Sequence, residues 1–251
     1  MNKGIRTSVI GLAVTAAFAV SSANANIIYN VSGPGIAAAE AAEQNFLASL
    51  QSGYVTEDFE GFLAGTQQMS FNTAVGSFEG IEAGVGGACD NMGYSCNGGL
   101  AVLDDATSPF SGRFPLPQDA NNNNWLDSMD YKEMLFTLNG GFNAVGFFMT
   151  DPNDQGGIMD ILLADNTSYT LSIDDIFGGS QPNEGAFYLS FYSKENIQSL
   201  TFFSNNNNDG YGIDNVTVGR VPEPGTIALL GLGLVGMFFA RRGRQQMPVA
   251  A

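Results

Sequence analysis

From Val55 to Val218 the chain is written in short apolar runs that alternate with polar residues and break every few positions at Gly, Asn, Asp or Pro. A period of two marks half-buried strands, because successive side chains on a strand point to opposite faces. Tyr169, Leu171 and Ile173 fall on one side with Thr170 and Ser172 opposite, and Phe187, Leu189 and Phe191 repeat the pattern. Strands are predicted near 55–60, 77–82, 100–104, 133–138, 142–149, 158–163, 168–173, 186–192, 199–204 and 212–218. One helix is predicted over 34–50, where Ile36, Ala39, Glu43, Phe46, Leu47 and Leu50 lie largely on one side and Gly53 can stop it. Short strands cut by turn residues, with one helix before them, predict a mainly β chain: an antiparallel β-sandwich, jelly-roll-like, with one N-terminal helix. The alternating phenylalanines suit the core of such a sandwich better than a binding platform.

The two ends follow a different logic. Lys3 and Arg6 precede an apolar run from Val9 to Val20, and Ser21 to Ala25 supplies the small residues that a signal peptidase reads. Residues 1–25 are therefore predicted to be a signal peptide cleaved after Ala25, because about 12 apolar residues are too few to span a bilayer. At the other end Val221, Pro222, Glu223 and Pro224 precede an apolar run from Thr226 to Ala240, and Arg241, Arg242 and Arg244 follow it. The prolines keep the preceding strand from running into the apolar segment. That segment is predicted to be helical in lipid, with the arginines on the cytoplasmic side. Some 15 residues cover only about 22 Å of a hydrocarbon core near 30 Å, a marginal span suited to transient holding.

This tripartite tail closely resembles the PEP-CTERM sorting domain. The resemblance covers residues 221–244, with residues 245–251 left as a longer extension than is usual. It implies recognition by an exosortase, removal of the tail near Pro222–Pro224, and release or attachment at the surface of a Gram-negative bacterium that makes exopolysaccharide. The segment between the ends, residues 26–220, is long enough for one sizeable domain with its own core. Within it Glu57 to Gly61, Asn143 to Met149 and Tyr211 to Val216 look like elements common in the β-sandwich ectodomains of this sorted class. That likeness implies fold and location and carries no activity.

Charge narrows the partners. The 26–220 segment holds 24 of the 25 acidic residues, against only Arg113, Lys132, Lys194 and Arg220, which leaves it near −20. Such a surface repels nucleic acid and anionic lipid, so neither is expected as a partner, and it accepts divalent cations. With no histidine in the chain, Ser-His-Asp and Cys-His systems are excluded. Cys89 and Cys96, the only cysteines, sit close together in a glycine-rich loop and are predicted to form a disulfide in an oxidising compartment.

Three chemistries are read from the remaining residues. Calcium suits oxygen-rich loops. Asn205, Asn207, Asp209 and Gly210 copy half of an EF-hand loop, but Val216 stands where its bidentate glutamate belongs. The segment Asp151–Gly156 fails in the same way at Leu162. A separate likeness, to the structural calcium site of galactose-binding-like sandwiches, points to Glu60 and Asp214; with Asp209 of the half loop, these are the candidate ligands. Sugar binding needs exposed aromatics, and Trp125, Tyr94 and Tyr211 lie in loop-like sequence, Trp125 directly after four asparagines. Glycoside cleavage needs two carboxyl groups about 5–9.5 Å apart, and Asp58 and Glu60 alternate on one predicted strand face. The expectation is a non-enzymatic, exported surface or matrix protein. Its expected partners are signal peptidase, an exosortase, transiently the inner membrane, and exopolysaccharide. A carbohydrate-binding module or a carboxylate-based glycan hydrolase is the alternative.

Overall fold

The structure, a computed structural model, describes residues 27–85, 89–152, 156–179, 184–206 and 208–222. The predicted signal peptide, the residues from Glu223 through the apolar run and arginine cluster, and the 245–251 tail lie outside the described residues. Among the described residues no helix is long and apolar enough to cross a membrane. The elements in chain order are β1 (Ile27–Val31), α1 (Ile36–Ser49), β2 (Val55–Glu57), β3 (Thr66–Gln68), β4 (Ser70–Asn72) and β5 (Gly76–Glu82). They continue with β6 (Leu100–Leu103), β7 (Trp125–Asp127), β8 (Glu133–Leu138), β9 (Ala144–Thr150), β10 (Ile158–Leu163) and β11 (Ser168–Ser172). The last are α2 (Ile173–Phe177), β12 (Ala186–Ser193), β13 (Ile197–Phe203) and β14 (Gly212–Gly219).

The strands form two antiparallel sheets, a mainly β arrangement consistent with a sandwich. One sheet runs β1-β12-β9-β14-β7-β6-β3, with β2 also on β14, and the other runs β11-β10-β13-β8-β5-β4. Apolar side chains of both sheets share one core. Phe147 of β9 meets Phe202 of β13 edge-on at 5.8 Å, and Phe78 stacks on Phe136 at 4.2 Å within the second sheet. The first sheet is covered on its other face as well, by α1. Ala39 and Phe46 of the helix pack there against Ala144, Phe148, Ala186 and Tyr188. A strand covered on both faces loses the alternation of a half-exposed one. That is why β9 is buried along its whole length.

Sequence alternation missed β1, β3, β4 and β7, each of three to five residues, and it missed the second helix. The predicted strand 168–173 stops at Ser172, because the Ser172 hydroxyl accepts from the Asp175 amide and caps α2, which Gly178 ends in the left-handed conformation.

β14 carries the feature that matters most for the candidate site. Its register against β9 shifts between Asp214 and Thr217, and Asn215 holds a φ of 44°. A bulge of this kind re-aims the side chains beside it. Asp214 and Asn215 are turned towards α1 and the loop that precedes β7.

Candidate functional site

Two constellations of polar groups are built into the sandwich, and they divide the three predicted calcium ligands between them. In the first, the run Asn121–Asn124 acts as a bracket between Glu60 and Asp214. Glu60 Oε1 accepts from the Asn124 amide at 2.6 Å and also from the Asn123 amide. Asp214 Oδ2 accepts from the Leu116 amide at 2.8 Å and from Asn122 Nδ2 at 3.0 Å, while Oδ1 accepts from the Asn215 amide at 2.7 Å. Asn124 Nδ2 donates to the Phe59 and Phe62 carbonyls, which fastens the bracket to the turn after β2.

This constellation is short of positive charge. Asp214 is 1 % exposed, and no described basic side chain pairs with it or with Glu60. Burial holds the Asp214 carboxyl well above the usual carboxylate range; its hydrogen bonds pull it back down and the charge of Glu60 pushes it further up. Glu43 of α1 adds a third acid nearby, bonded to Asn215 Nδ2 at 3.1 Å and raised chiefly by burial. Asn122 Oδ1 is buried without a hydrogen-bond partner. Acids gathered away from water without a base need a proton or a cation. Carboxylate and amide oxygens are the donors that hard divalent ions take.

Asp209, the candidate from the half EF-hand loop, lies apart from Glu60 and Asp214 and is held by Arg113. It accepts from Arg113 Nη2 at 3.0 Å. Arg113 is almost fully buried, and it also reaches Asp127 at 2.9 Å, Asp130 at 3.3 Å and Asp151 at 3.8 Å. Its guanidinium lies 3.9 Å from the centre of the Phe110 ring. Burial alone would lower the Arg113 pKa, and the four aspartates outweigh it. The guanidinium sits where a cation would, so Asp209 is already neutralised by the protein itself. Sequence reasoning passed over Arg113 and the aspartates at 127 and 130. The available signal was scarcity: four basic residues cannot stay unpaired everywhere in a segment this acidic.

Trp125 is corrected too. It is fully buried on β7, with Nε1 donating to Asp127 Oδ2 at 3.1 Å. A buried indole needs a partner for its N–H, and Asp127 supplies it. The neighbouring asparagines imitate a solvated loop in composition, yet Asn122 and Asn124 are themselves buried brackets. Tyr211 is buried as well, and half-buried Tyr94 donates its hydroxyl to the Thr107 carbonyl. The pairing of Asp58 with Glu60 on a strand face does not hold either. β2 ends at Glu57, Phe59 takes a φ of 57°, and Asp58 Oδ1 accepts from the Glu60 amide in a turn.

Cys89 and Cys96 are joined in a disulfide, and Asp90 Oδ1 accepts from the Cys96 amide inside the small ring. Val221 is the first residue of the predicted sorting motif and Pro222 the last one described. Val221 still belongs to the fold: its amide donates to Asn143 Oδ1 at 2.9 Å, and its side chain packs under α1. The basic cluster Arg241, Arg242 and Arg244 lies outside the described residues.

Comparison with curated proteins gives no match. Among solved structures, the K2 cleaved adhesin domain of Lys-gingipain (Kgp) aligns with 66% of this chain and 98% of its own at 12% identity. The TM-score is 0.29, a likeness too slight to carry an argument. The informative match is to the tail, where residues 220–245 fit the family model of the PEP-CTERM protein-sorting motif, so the chain carries a PEP-CTERM sorting signal.

Proposed function

We propose that this chain is a non-catalytic surface or matrix protein, held briefly in the inner membrane, processed by an exosortase and associated with exopolysaccharide outside the cell. The sorting signal at residues 220–245 implies exosortase targeting, export and a cell-surface or extracellular destination in a Gram-negative bacterium. That match is the observation that carries the reading. The test is the intact mass and location of the protein in cells with and without the exosortase. A product ending near Pro222–Pro224, outside the cell only when the enzyme is present, supports the reading. A full-length tail persisting in the membrane of both strains overturns it.

The sandwich itself we infer to be jelly-roll-like, a reading supported by the way the chain crosses between the sheets at β8–β9, β9–β10 and each connection from β11 to β14. We also propose that Glu60, Asp214 and the Asn122 side-chain carbonyl hold a structural calcium ion, with backbone carbonyls and water completing its shell. Supporting this are the buried, base-free carboxylate of Asp214 and the partnerless Asn122 Oδ1. The sugar-binding and paired-carboxylate readings gain no observation of their own.

A further inference from the structure

Charge on the domain is distributed by end. At one end of the sandwich lie the Ala186–Thr150 and Gly212–Asp127 pairings, and Arg113 sits among Asp127, Asp130, Asp151 and Asp209 there. Lys132, also at that end, is paired with Glu82 at 2.8 Å. The opposite end is marked by the pairings Ile27–Ser193, Ala144–Tyr192 and Ala144–Gly219. Lys194 follows Ser193 in the turn there, and Arg220 follows Gly219 with its guanidinium beside Gly141. Both are exposed, and among the described residues neither makes an ion pair. These two cations, unpaired among the described residues, thus stand at the end from which the sorting tail leaves. Exposed Glu195 and Asp165 are their acidic neighbours, the latter in a turn joined to this end by the Ala164–Asn196 hydrogen bond.

Both chain ends meet here. Ile27, the first described residue, pairs with Ser193 at this end. Tyr54 is 43% exposed at the same end, its Cβ 3.1 Å from the position a Gly219 side chain would take. The tether is short. Gln51 holds the Arg220 carbonyl and Asn143 holds the Val221 amide. Only Pro222 to Gly225 separate Val221 from the apolar run at Thr226. Four extended residues reach at most about 14 Å, and the interfacial layer of a bilayer is about 5–7 Å deep on each side. The remaining gap is comparable to the Debye length of about 8 Å at physiological salt. Charges on this face therefore act on the headgroups, while the acids of the far end are screened from them.

We propose that this end of the sandwich is a docking surface for anionic lipid headgroups, formed by Lys194 and Arg220, with Tyr54 at the interface. It rests on the sorting reading, since the tail brings the surface to the membrane. The test uses the signal-cleaved chain with its tail intact, taken from cells without exosortase and reconstituted into vesicles. One set is phosphatidylcholine alone, and the other contains phosphatidylglycerol. Flotation and amide hydrogen exchange are read on both, for the wild-type chain and for the double variant Lys194→Gln, Arg220→Gln. Exchange in 50–54, 139–143 and 193–197 slows roughly five- to thirtyfold on the anionic vesicles, the worth of one or two basic side chains at a charged surface. The double variant loses most of that protection while keeping its melting temperature. A chain that floats on both vesicles with equal exchange, or whose protection survives the double substitution, overturns the docking surface and leaves the sorting reading standing. A chain that floats on neither overturns both.

Discussion

Arg113 Nη2 donates to Oδ1 of Asp130 at 3.3 Å, and the other oxygen of that carboxylate is buried with no hydrogen-bond partner. Half of the ion pair is therefore desolvated without compensation. Burial pushes the Asp130 carboxyl up to about 6; Arg113 pulls against that, while Asp127 and Asp209 add to it. A carboxyl raised in the fold contributes stability that is fully present below its unfolded pKa of about 3.9 and lost as pH rises through the folded value. Asp130→Asn removes the charge that costs stability at neutral pH. Urea unfolding is expected to show the variant about 1–3 kcal/mol more stable than wild type at pH 7.5. The difference closes as pH falls from about 6 to 4. Parallel stability curves across that range would remove Asp130 from the account.

Arg113 answers to the opposite change. Arg113→Met leaves Asp127, Asp130, Asp151 and Asp209 facing one another with no base between them. Breaking a buried pair by deleting one partner costs roughly 3–5 kcal/mol, and here one deletion strands several carboxylates. The variant is expected to be strongly destabilised at pH 7.5 and partly rescued near pH 5, where Asp130, raised to about 6 even beside Arg113, takes up a proton. Urea unfolding at both pH values separates this from simple loss of packing, which acid would not repair.

How far these features were readable from the sequence depends on how local their causes are. β8 and β10 follow alternation and were placed to the residue. β7 is three residues long, and its Trp125 is buried because Asp127, two positions on, meets its N–H. Composition cannot see that partnership, and four asparagines before it argue for a loop. Asp214 was readable as an acid on a late strand, and Glu60 as an early acid on a strand predicted three residues too long. That they share one bracket depends on Asn122 and Asn124 and on the bulge of β14. Asp209 was a separate candidate because a half EF-hand pattern surrounds it. Its partner Arg113 is 96 positions away, and no local pattern encodes that pairing.

Calcium separates the Glu60–Asp214 constellation from the Arg113 one. If the ion sits between the first two, adding millimolar calcium at pH 7.5 raises the melting temperature of the wild-type chain, by several degrees for a ligand well above its Kd. Asp214→Asn abolishes the rise, whereas Asp209→Asn keeps it because Asp209 serves Arg113. The rise fades in acid, since protonating Asp214, already raised by burial, removes its charge. Isothermal titration without heat, together with an unmoved melting temperature in wild type, would end the calcium reading.

Gly146 marks where α1 lies on the first sheet. A Cβ at this position would come within 2.5 Å of the Tyr188 hydroxyl and 2.9 Å of the Phe46 ring. Those two side chains are themselves packed at 5.8 Å between ring centres. Gly146→Ala must therefore lift the helix or turn a buried ring, and overpacking of this kind costs about 1–3 kcal/mol. The Tyr188 hydroxyl is buried without a partner, so Tyr188→Phe removes an unsatisfied group and is expected to be neutral or mildly stabilising. It also removes the nearer of the two collisions. Gly146→Ala should consequently cost less in the Tyr188→Phe background, by roughly 0.5 kcal/mol or more, which a double-mutant cycle by urea unfolding measures. If the cost is the same in both backgrounds, Phe46 alone sets the spacing between α1 and the sheet. If there is no cost in either, the helix does not rest on Gly146.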